Sequence, residues 1–210
     1  MTLQSLLPLN SALARPMVPL FVRARIPANG VTFLSMLSGV LGGVFFALGT
    51  PAAMVWGAAG FLMANLLDEC DGKVARLTNS ASKLGALLDT VADCIVHIAL
   101  FLGLGIGLHR QFPHSPFLFL GSAAAAGSFL SFVMDVGGIT PWQAPSSPAN
   151  KGDRLAWVTE WLRIDFSLIV LASAFLGHLS WVVWAGALGV FCFWIPSTVV
   201  ITIRSRKRAR

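Results

Sequence analysis

Residues 68–93 read DECDGKVARLTNSASKLGALLDTVAD, and this stretch decides how the rest of the 210-residue chain is interpreted. It carries five of the nine acidic residues, whereas the sequence on either side is strongly apolar. Ionisable side chains beside or within apolar spans are functional candidates by default, because removing them from water is costly. The five acidic residues are Asp68, Glu69, Asp71, Asp89 and Asp93.

The composition is that of an integral membrane protein. Hydrophobic residues make up 56% of the chain, charged residues only 11%, and the mean hydropathy is +0.76. A soluble domain carries about 25% charged residues, so a soluble class is excluded. The net charge of +6 is explained by cationic loops that face lipid headgroups, and we therefore expect no nucleic-acid partner.

Apolar runs long enough to cross a bilayer as helices recur six times, which predicts an all-α fold, a bundle of six transmembrane helices. Asn29 is the predicted N-cap of the first span. The second helix is expected to project past the membrane, because Asp68, Asp71 and Arg76 keep helical spacing after its apolar part. The loop that follows is predicted at residues 77–83. The helices are predicted at about 27–48, 52–76, 84–108, 117–136, 160–176 and 181–203.

The chain divides into three parts. Residues 1–26 mix apolar residues with three arginines and are predicted to form a juxtamembrane amphipathic helix that lies in the membrane interface. Residues 27–203 form the six-helix domain, and residues 204–210 form a basic cytoplasmic tail. With six spans both termini lie on one side of the membrane.

The distribution of cationic residues predicts which side that is. Fourteen of the fifteen Lys and Arg residues fall on the side of the termini, and Arg110 alone falls on the other. Because cytoplasmic loops carry the excess of Lys and Arg, we expect cytoplasmic N- and C-termini in an inner or plasma membrane. The acidic stretch then lies at the cytoplasmic face, where nucleotides are.

Helical spacing places the first carboxylates beside small residues. Each residue of a helix advances about 100°, so Asp71 lies about 60° from Asp68, with Gly72 and Ala75 on the same face. Carboxylates can bind a cation there, while the small residues let a bulky ligand approach the backbone. Arg76 is about 80° round from Asp68 and can reach a phosphate beside the cation.

The next helix carries a second stripe, in which Gly85, Asp89 and Asp93 are four residues apart and His97 follows one turn later. Carboxylates this concentrated repel one another, and a divalent cation removes that repulsion. Ligation by oxygen alone suits Mg²⁺, Mn²⁺ or Ca²⁺ rather than zinc.

Eight positions in this window follow the pattern D-x-x-D-G-x-x-A-R-x8-G-x-x-x-D-x-x-x-D, which resembles the signature of the CDP-alcohol phosphotransferase family, class I. That family is a six-span bundle with the pattern across its second and third spans. It also has Pro-Asn-x-x-Thr at the start of the first span. Here Asn29 and Thr32 fit that pattern, and Ala28 separates Pro27 from Asn29.

The resemblance implies transfer of a phosphoalcohol group, in particular a phosphatidyl group, in phospholipid or related phosphodiester biosynthesis. An acceptor hydroxyl attacks the β-phosphorus of a CDP-linked donor, and CMP leaves. By this resemblance Mg²⁺ or Mn²⁺, as two ions, is held by Asp68, Asp71, Asp89 and Asp93, and Asp93 shares the second ion or acts as general base. The residues that the resemblance assigns to the CDP pocket are Thr32, Asp68, Gly72, Ala75, Arg76 and Gly85.

Partners and rival functions remain open at this point. CDP-diacylglycerol is the expected donor and an alcohol or phosphoalcohol the acceptor, with Lys151, Arg154 and Arg163 as candidates to bind an acceptor phosphate. Faces rich in Gly and Ala make a homodimer a further expectation. One rival is a membrane prenyltransferase, which releases pyrophosphate and carries two acidic motifs far apart. The other is a cation transporter, which places carboxylates at mid-membrane depth in several spans.

Overall fold

Helices joined by short loops account for the part of the chain that the structure, a computed structural model, describes: residues 9–137 and 166–189. No strand occurs in these two ranges, in agreement with the predicted all-α class. In chain order the helices are α1 (Leu9–Ala14), α2 (Val18–Arg23), α3 (Ala28–Leu48), α4 (Pro51–Leu77), α5 (Lys83–Gln111), α6 (Phe117–Val136), α7 (Phe166–Phe175) and α8 (Leu179–Gly189).

Helix α3 packs against both α4 and α5, which contact each other little. Glycines allow this close approach. A Cβ atom on Gly42 would lie 2.8 Å from the carbonyl oxygen of Gly57 on α4, and one on Gly43 would lie 2.6 Å from that of Ala99 on α5. The three helices therefore share backbone-to-backbone contacts. Since α4 and α5 carry the two carboxylate stripes, α3 sets the distance between them.

The boundaries of α4 and α5 confirm the prediction that the second helix continues through its acidic residues. Helix α4 runs without interruption for 27 residues, and its C-terminal part carries the first stripe. Thr50 caps its N-terminus, with the hydroxyl accepting from the backbone N–H of Ala53 at 3.3 Å, and Pro51 follows. The loop between α4 and α5 spans residues 78–82, close to the prediction.

The predicted N-cap of the first span is wrong. The N-cap of α3 is Pro27, which has extended backbone and no side-chain cap, and Asn29 lies inside the first turn. Proline without a free N–H is readily accommodated where a helix begins. Asn29 is thereby released from capping, and its side chain lies beside a cavity described below.

The N-terminal region forms two short helices, α1 and α2, and both pack against α4. Ala14, Val18 and Cys70 are buried in this contact, and the thiol of Cys70 lies 3.5 Å from the carbonyl oxygen of Ala14. Cys70 and Cys94 are free and buried. The N-terminal region thus packs against α4, the helix that carries Asp68 and Asp71.

Three helices in the described part of the chain are long and apolar enough to cross a membrane: Ala28–Leu48, Lys83–Gln111 and Phe117–Met134. Helices α7 and α8 are shorter apolar helices at the places predicted for the fifth and sixth spans. Residues 160–165 and 190–203 of those two predicted spans, and the basic tail at 204–210, lie outside the described residues.

Replacing Gly103 by alanine is expected to destabilise the fold, because its Cβ would overlap the carbonyl oxygen of Gly43 where α3 meets α5. Overpacking of this kind costs about 1–3 kcal/mol, so thermal unfolding in detergent should begin several degrees lower. Gly189→Ala is the matched control, since no atom of the described residues lies within 4 Å of the place its Cβ would take. Equal melting temperatures for both variants would contradict the close-packed α3–α5 contact.

Candidate active site

A cavity of about 190 Å³ opens where the start of α3, the end of α4 and the start of α5 meet. It is lined by the small residues, the arginine and two of the aspartates of the sequence pattern, together with Thr32 and Asn29. We call it the first cavity. Its lining residues are Ala28, Asn29, Thr32, Asp71, Gly72, Ala75, Arg76, Ser80, Ala81, Ser82, Gly85, Ala86 and Asp89.

Local structure positions the two edges of the first cavity. Ser82 caps α5, with its hydroxyl accepting from the backbone N–H of Gly85 at 3.0 Å. This cap starts the helix so that Gly85 and Asp89 both face the cavity. On α4, Gly72 leaves the surface open beneath Arg76, whose Nη1 would lie 3.5 Å from a Cβ placed on Gly72. The backbone of α4 is therefore accessible to a ligand next to a guanidinium group.

Asp68, Asp71 and Asp89 form a three-carboxylate cluster, in which one oxygen from each lies within 4.8 Å of the others. Two like charges at about 4 Å repel by roughly 4 kcal/mol at an effective dielectric constant of 20. Ligands on opposite sides of Mg²⁺ are about 4.2 Å apart, given bonds of about 2.1 Å, and those of Ca²⁺ roughly 5 Å apart. The oxygen spacing and the all-oxygen chemistry of the cluster fit one divalent cation.

Asp71 is fixed by α3. Its side chain is only 6% exposed, and its Oδ2 accepts a hydrogen bond of 2.5 Å from the hydroxyl of Thr32. The same hydroxyl also lies 3.1 Å from the carbonyl oxygen of Ala28. A buried carboxylate needs such partners to offset its lost hydration. The hydrogen bond therefore explains why a threonine faces the motif from a different helix.

Thr32→Val is expected to lower kcat/KM for CMP release about tenfold, because a hydrogen bond to a charged group contributes about 1.5–3 kcal/mol. Thr32→Ser keeps the hydroxyl and should retain most of the activity. Ser35→Ala is the control, since it removes a hydrogen bond of 2.8 Å to the carbonyl oxygen of Ala64 between the same two helices. An equal loss in Ser35→Ala would mean that the effect is one of α3–α4 packing.

Asp93 lies apart from the three-carboxylate cluster. It faces a second cavity of about 220 Å³, formed by α5 and α6. The hydroxyl of Ser131 faces the same space and makes no hydrogen bond to any residue in 9–137 or 166–189. We call this the second cavity. Its lining residues are Thr90, Asp93, Cys94, His97, Ser128, Ser131 and Phe132.

The structure brings together most of the site residues predicted from the sequence. Five of the six predicted CDP-pocket residues line the first cavity, and the sixth, Asp68, belongs to the three-carboxylate cluster. The candidate acceptor residues Lys151, Arg154 and Arg163 lie outside the described residues.

Sequence reasoning misses several cavity residues. It assigns Asn29 to a cap, although the position of Asn29 three residues before Thr32 places both on one helical face. Ser80 and Ser82 lie in the loop between the two stripes, and that location is a usable signal. Ser128 and Ser131 have no local signal, because only the packing of α6 on α5 brings them to Asp93.

Comparison with known proteins agrees with this arrangement. A family model described as CDP-alcohol phosphatidyltransferase matches residues 25–201, which is most of the chain. The chain belongs to the CDP-alcohol phosphatidyltransferase family. The match extends over α3 to α8 and includes both cavities, so the family assignment covers the whole candidate site.

Three curated relatives illustrate the range of this family. Cholinephosphotransferase 1 of Gallus gallus is 33% identical over 129 residues, which are 61% of this chain and 35% of the relative. The inner membrane protein YnbA of Escherichia coli is 29% identical over 60% of this chain and 57% of the relative. Phosphatidylinositol phosphate synthase of Corynebacterium glutamicum is 30% identical over 42% of this chain and 40% of the relative. The chain thus matches between about a third and just over half of each relative's length.

Family membership and the three long apolar helices identify an integral membrane protein. None of these matches supports a prenyltransferase or a cation transporter.

Proposed function

We propose that this protein is an enzyme that transfers a phosphoalcohol group, in particular a phosphatidyl group, from a CDP-linked donor to an acceptor hydroxyl and releases CMP. The observation that carries the proposal is the position of the three-carboxylate cluster. It adjoins a cavity lined by the motif's small residues and Arg76, in a chain of the CDP-alcohol phosphatidyltransferase family.

The first cavity is proposed to bind the CDP part of the donor. Gly72, Ala75 and Gly85 leave room for the nucleotide beside the backbone, and Arg76 offers hydrogen bonds and positive charge to the phosphates. Thr32 keeps Asp71 oriented toward the cluster. Asp68, Asp71 and Asp89 would hold Mg²⁺ or Mn²⁺, which would supply positive charge to the diphosphate and to the leaving phosphate.

Asp93 is proposed to act on the acceptor. The acceptor oxygen forms a bond to the β-phosphorus of the donor, the bond from that phosphorus to the CMP oxygen breaks, and the hydroxyl proton passes to Asp93. Its side chain is 61% exposed and faces the second cavity, so an alcohol can reach it. We propose two ions in total. In the alternative assignment, Asp93 binds the second ion instead of acting as the general base.

The membrane arrangement belongs to the same proposal. Residues 27–203 form a six-span domain with cytoplasmic termini, residues 1–26 lie at the interface, and both cavities open toward the cytoplasm. The lysine and arginine distribution supports this orientation. CDP-diacylglycerol is the proposed donor, and a homodimer is the proposed assembly.

The test is CMP release by the purified full-length protein with Mg²⁺ and CDP-diacylglycerol. The acceptor panel contains glycerol 3-phosphate, inositol 1-phosphate, phosphatidylglycerol, serine and choline. A separate assay with CDP-choline and diacylglycerol tests the case in which the donor carries the alcohol and the lipid is the acceptor. Acceptor-dependent CMP release is the expected result. Release of pyrophosphate from a prenyl diphosphate, or no CMP with any pair, would overturn the proposal.

A further inference from the structure

His97 holds Asp93 in one orientation. The Nδ1 atom of His97 lies 3.1 Å from Oδ1 of Asp93 and 2.9 Å from the backbone carbonyl oxygen of the same residue. Both partners are acceptors, so Nδ1 is the nitrogen that carries the proton and donates. One carboxylate oxygen of Asp93 is therefore engaged by the imidazole, and the other remains available.

The imidazole is itself fixed from the side of α4. The ring of Phe61 meets it edge to face, with centroids 5.9 Å apart and an interplanar angle of 83°. Phe61 is 1% exposed and packs in the same way on Phe166 of α7, with centroids 6.0 Å apart. The core of the bundle thus determines the position of His97, whereas an exposed aspartate alone would sample several rotamers.

Asp93 and His97 together line the second cavity, and Ser131 lines it as well. Among the described residues, the hydroxyl of Ser131 makes no hydrogen bond, and α5 and α6 contribute no lysine or arginine to the lining. Polar groups of this kind suit a hydroxyl group, which both donates and accepts hydrogen bonds. A general base works only when it is held within hydrogen-bond reach of the proton it removes.

We propose that His97 is a positioning residue that directs Asp93 into the second cavity, and that this cavity receives the hydroxyl end of the acceptor alcohol. The proposal rests on the proposed function, and it adds the place where the acceptor binds and the contact that orients the base. His97 contacts Asp93 and does not line the first cavity, so we expect its effect on the chemical step rather than on donor binding.

The experiment compares His97→Leu, His97→Asn and His109→Leu in the purified full-length protein. Leucine keeps much of the volume without a donor, and asparagine places an N–H close to the position of Nδ1. His109→Leu makes the same change on the same helix about 18 Å away. The kcat for CMP release and the KM for donor and acceptor are measured with the best acceptor of the panel. Thermal stabilisation by CMP with Mg²⁺ is measured as well.

His97→Leu should lower kcat about 10- to 100-fold, the range found when a partner that orients an active group is removed. The donor KM and the stabilisation by CMP should be unchanged. His97→Asn should recover most of the lost kcat, and His109→Leu should behave as the wild type.

Three results would overturn the proposal: a wild-type kcat in His97→Leu, no recovery in His97→Asn, or a parallel loss of stabilisation by CMP. The last would show that His97 supports the fold of the donor site. Failure of the proposed function is recognised separately, because the wild-type protein would then release no CMP with any acceptor.

Discussion

Asp93→Asn is expected to lower acceptor-dependent CMP release about a thousandfold, within the range of 10²–10⁴ that general acid–base catalysis contributes. Asparagine has nearly the same shape but accepts no proton, and it carries no charge to bind a cation. The stabilisation of the protein by CMP with Mg²⁺ should persist, because Asp93 does not line the first cavity. CMP formation is followed over time at saturating donor and acceptor.

Glu69→Gln is the matched control for this variant. It also converts an acid to an amide in the acidic stretch, but Glu69 forms an ion pair of 2.9 Å with Lys73 and does not belong to the three-carboxylate cluster. A partly exposed pair of this type contributes about 1 kcal/mol or less, so near-normal turnover is expected. Full activity in Asp93→Asn would show that Asp93 is neither the general base nor a metal ligand.

Removal of divalent cations is expected to abolish CMP release, and added Mg²⁺ or Mn²⁺ is expected to restore it. The physical reason is the three-carboxylate cluster, which without a cation repels the donor diphosphate as well as itself. The measurement is activity after dialysis against EDTA, followed by titration with each metal. Turnover that persists in excess EDTA would contradict the cation site.

The variant Asp89→Asn tests the same cation site by removing one of its proposed ligands. Loss of one of the three ligands should raise the Mg²⁺ concentration for half-maximal activity by at least about tenfold, since even groups that only support a ligand contribute 10- to 100-fold. Glu69→Gln should leave that concentration unchanged. Equal metal dependence in both variants would show that Asp89 does not bind the cation.

Much of this site can be predicted from the sequence because its residues follow helical periodicity. The family resemblance assigns Asp68, Asp71, Asp89 and Asp93 to the cations, and the structure places one oxygen of each of the first three within 4.8 Å of the others. The uninterrupted α4 also follows from spacing, because a helix that satisfies its own backbone hydrogen bonds can continue from an apolar into a polar region. The remaining assignments of roles to these residues are predictions that the experiments above test.

What cannot be predicted depends on packing between helices. The hydrogen bond from Thr32 to Asp71 joins residues 39 positions apart, and no local pattern encodes it. Ser131 meets Asp93 only because α6 folds back on α5. Asn29 is misassigned because a polar residue two positions after a proline has the same sequence signature whether it caps a helix or lines a cavity.

The first cavity also has a consequence for how the protein is made. All of its lining residues fall between positions 28 and 89, in three consecutive helices and the loop between the last two, whereas the second cavity needs residues as late as Phe132. Contacts between neighbouring elements of a chain form early, and chains acquire structure from the N-terminus during synthesis. The residues of the proposed nucleotide cavity are therefore all present once α5 has been synthesised, before the α6 residues of the second cavity have been made.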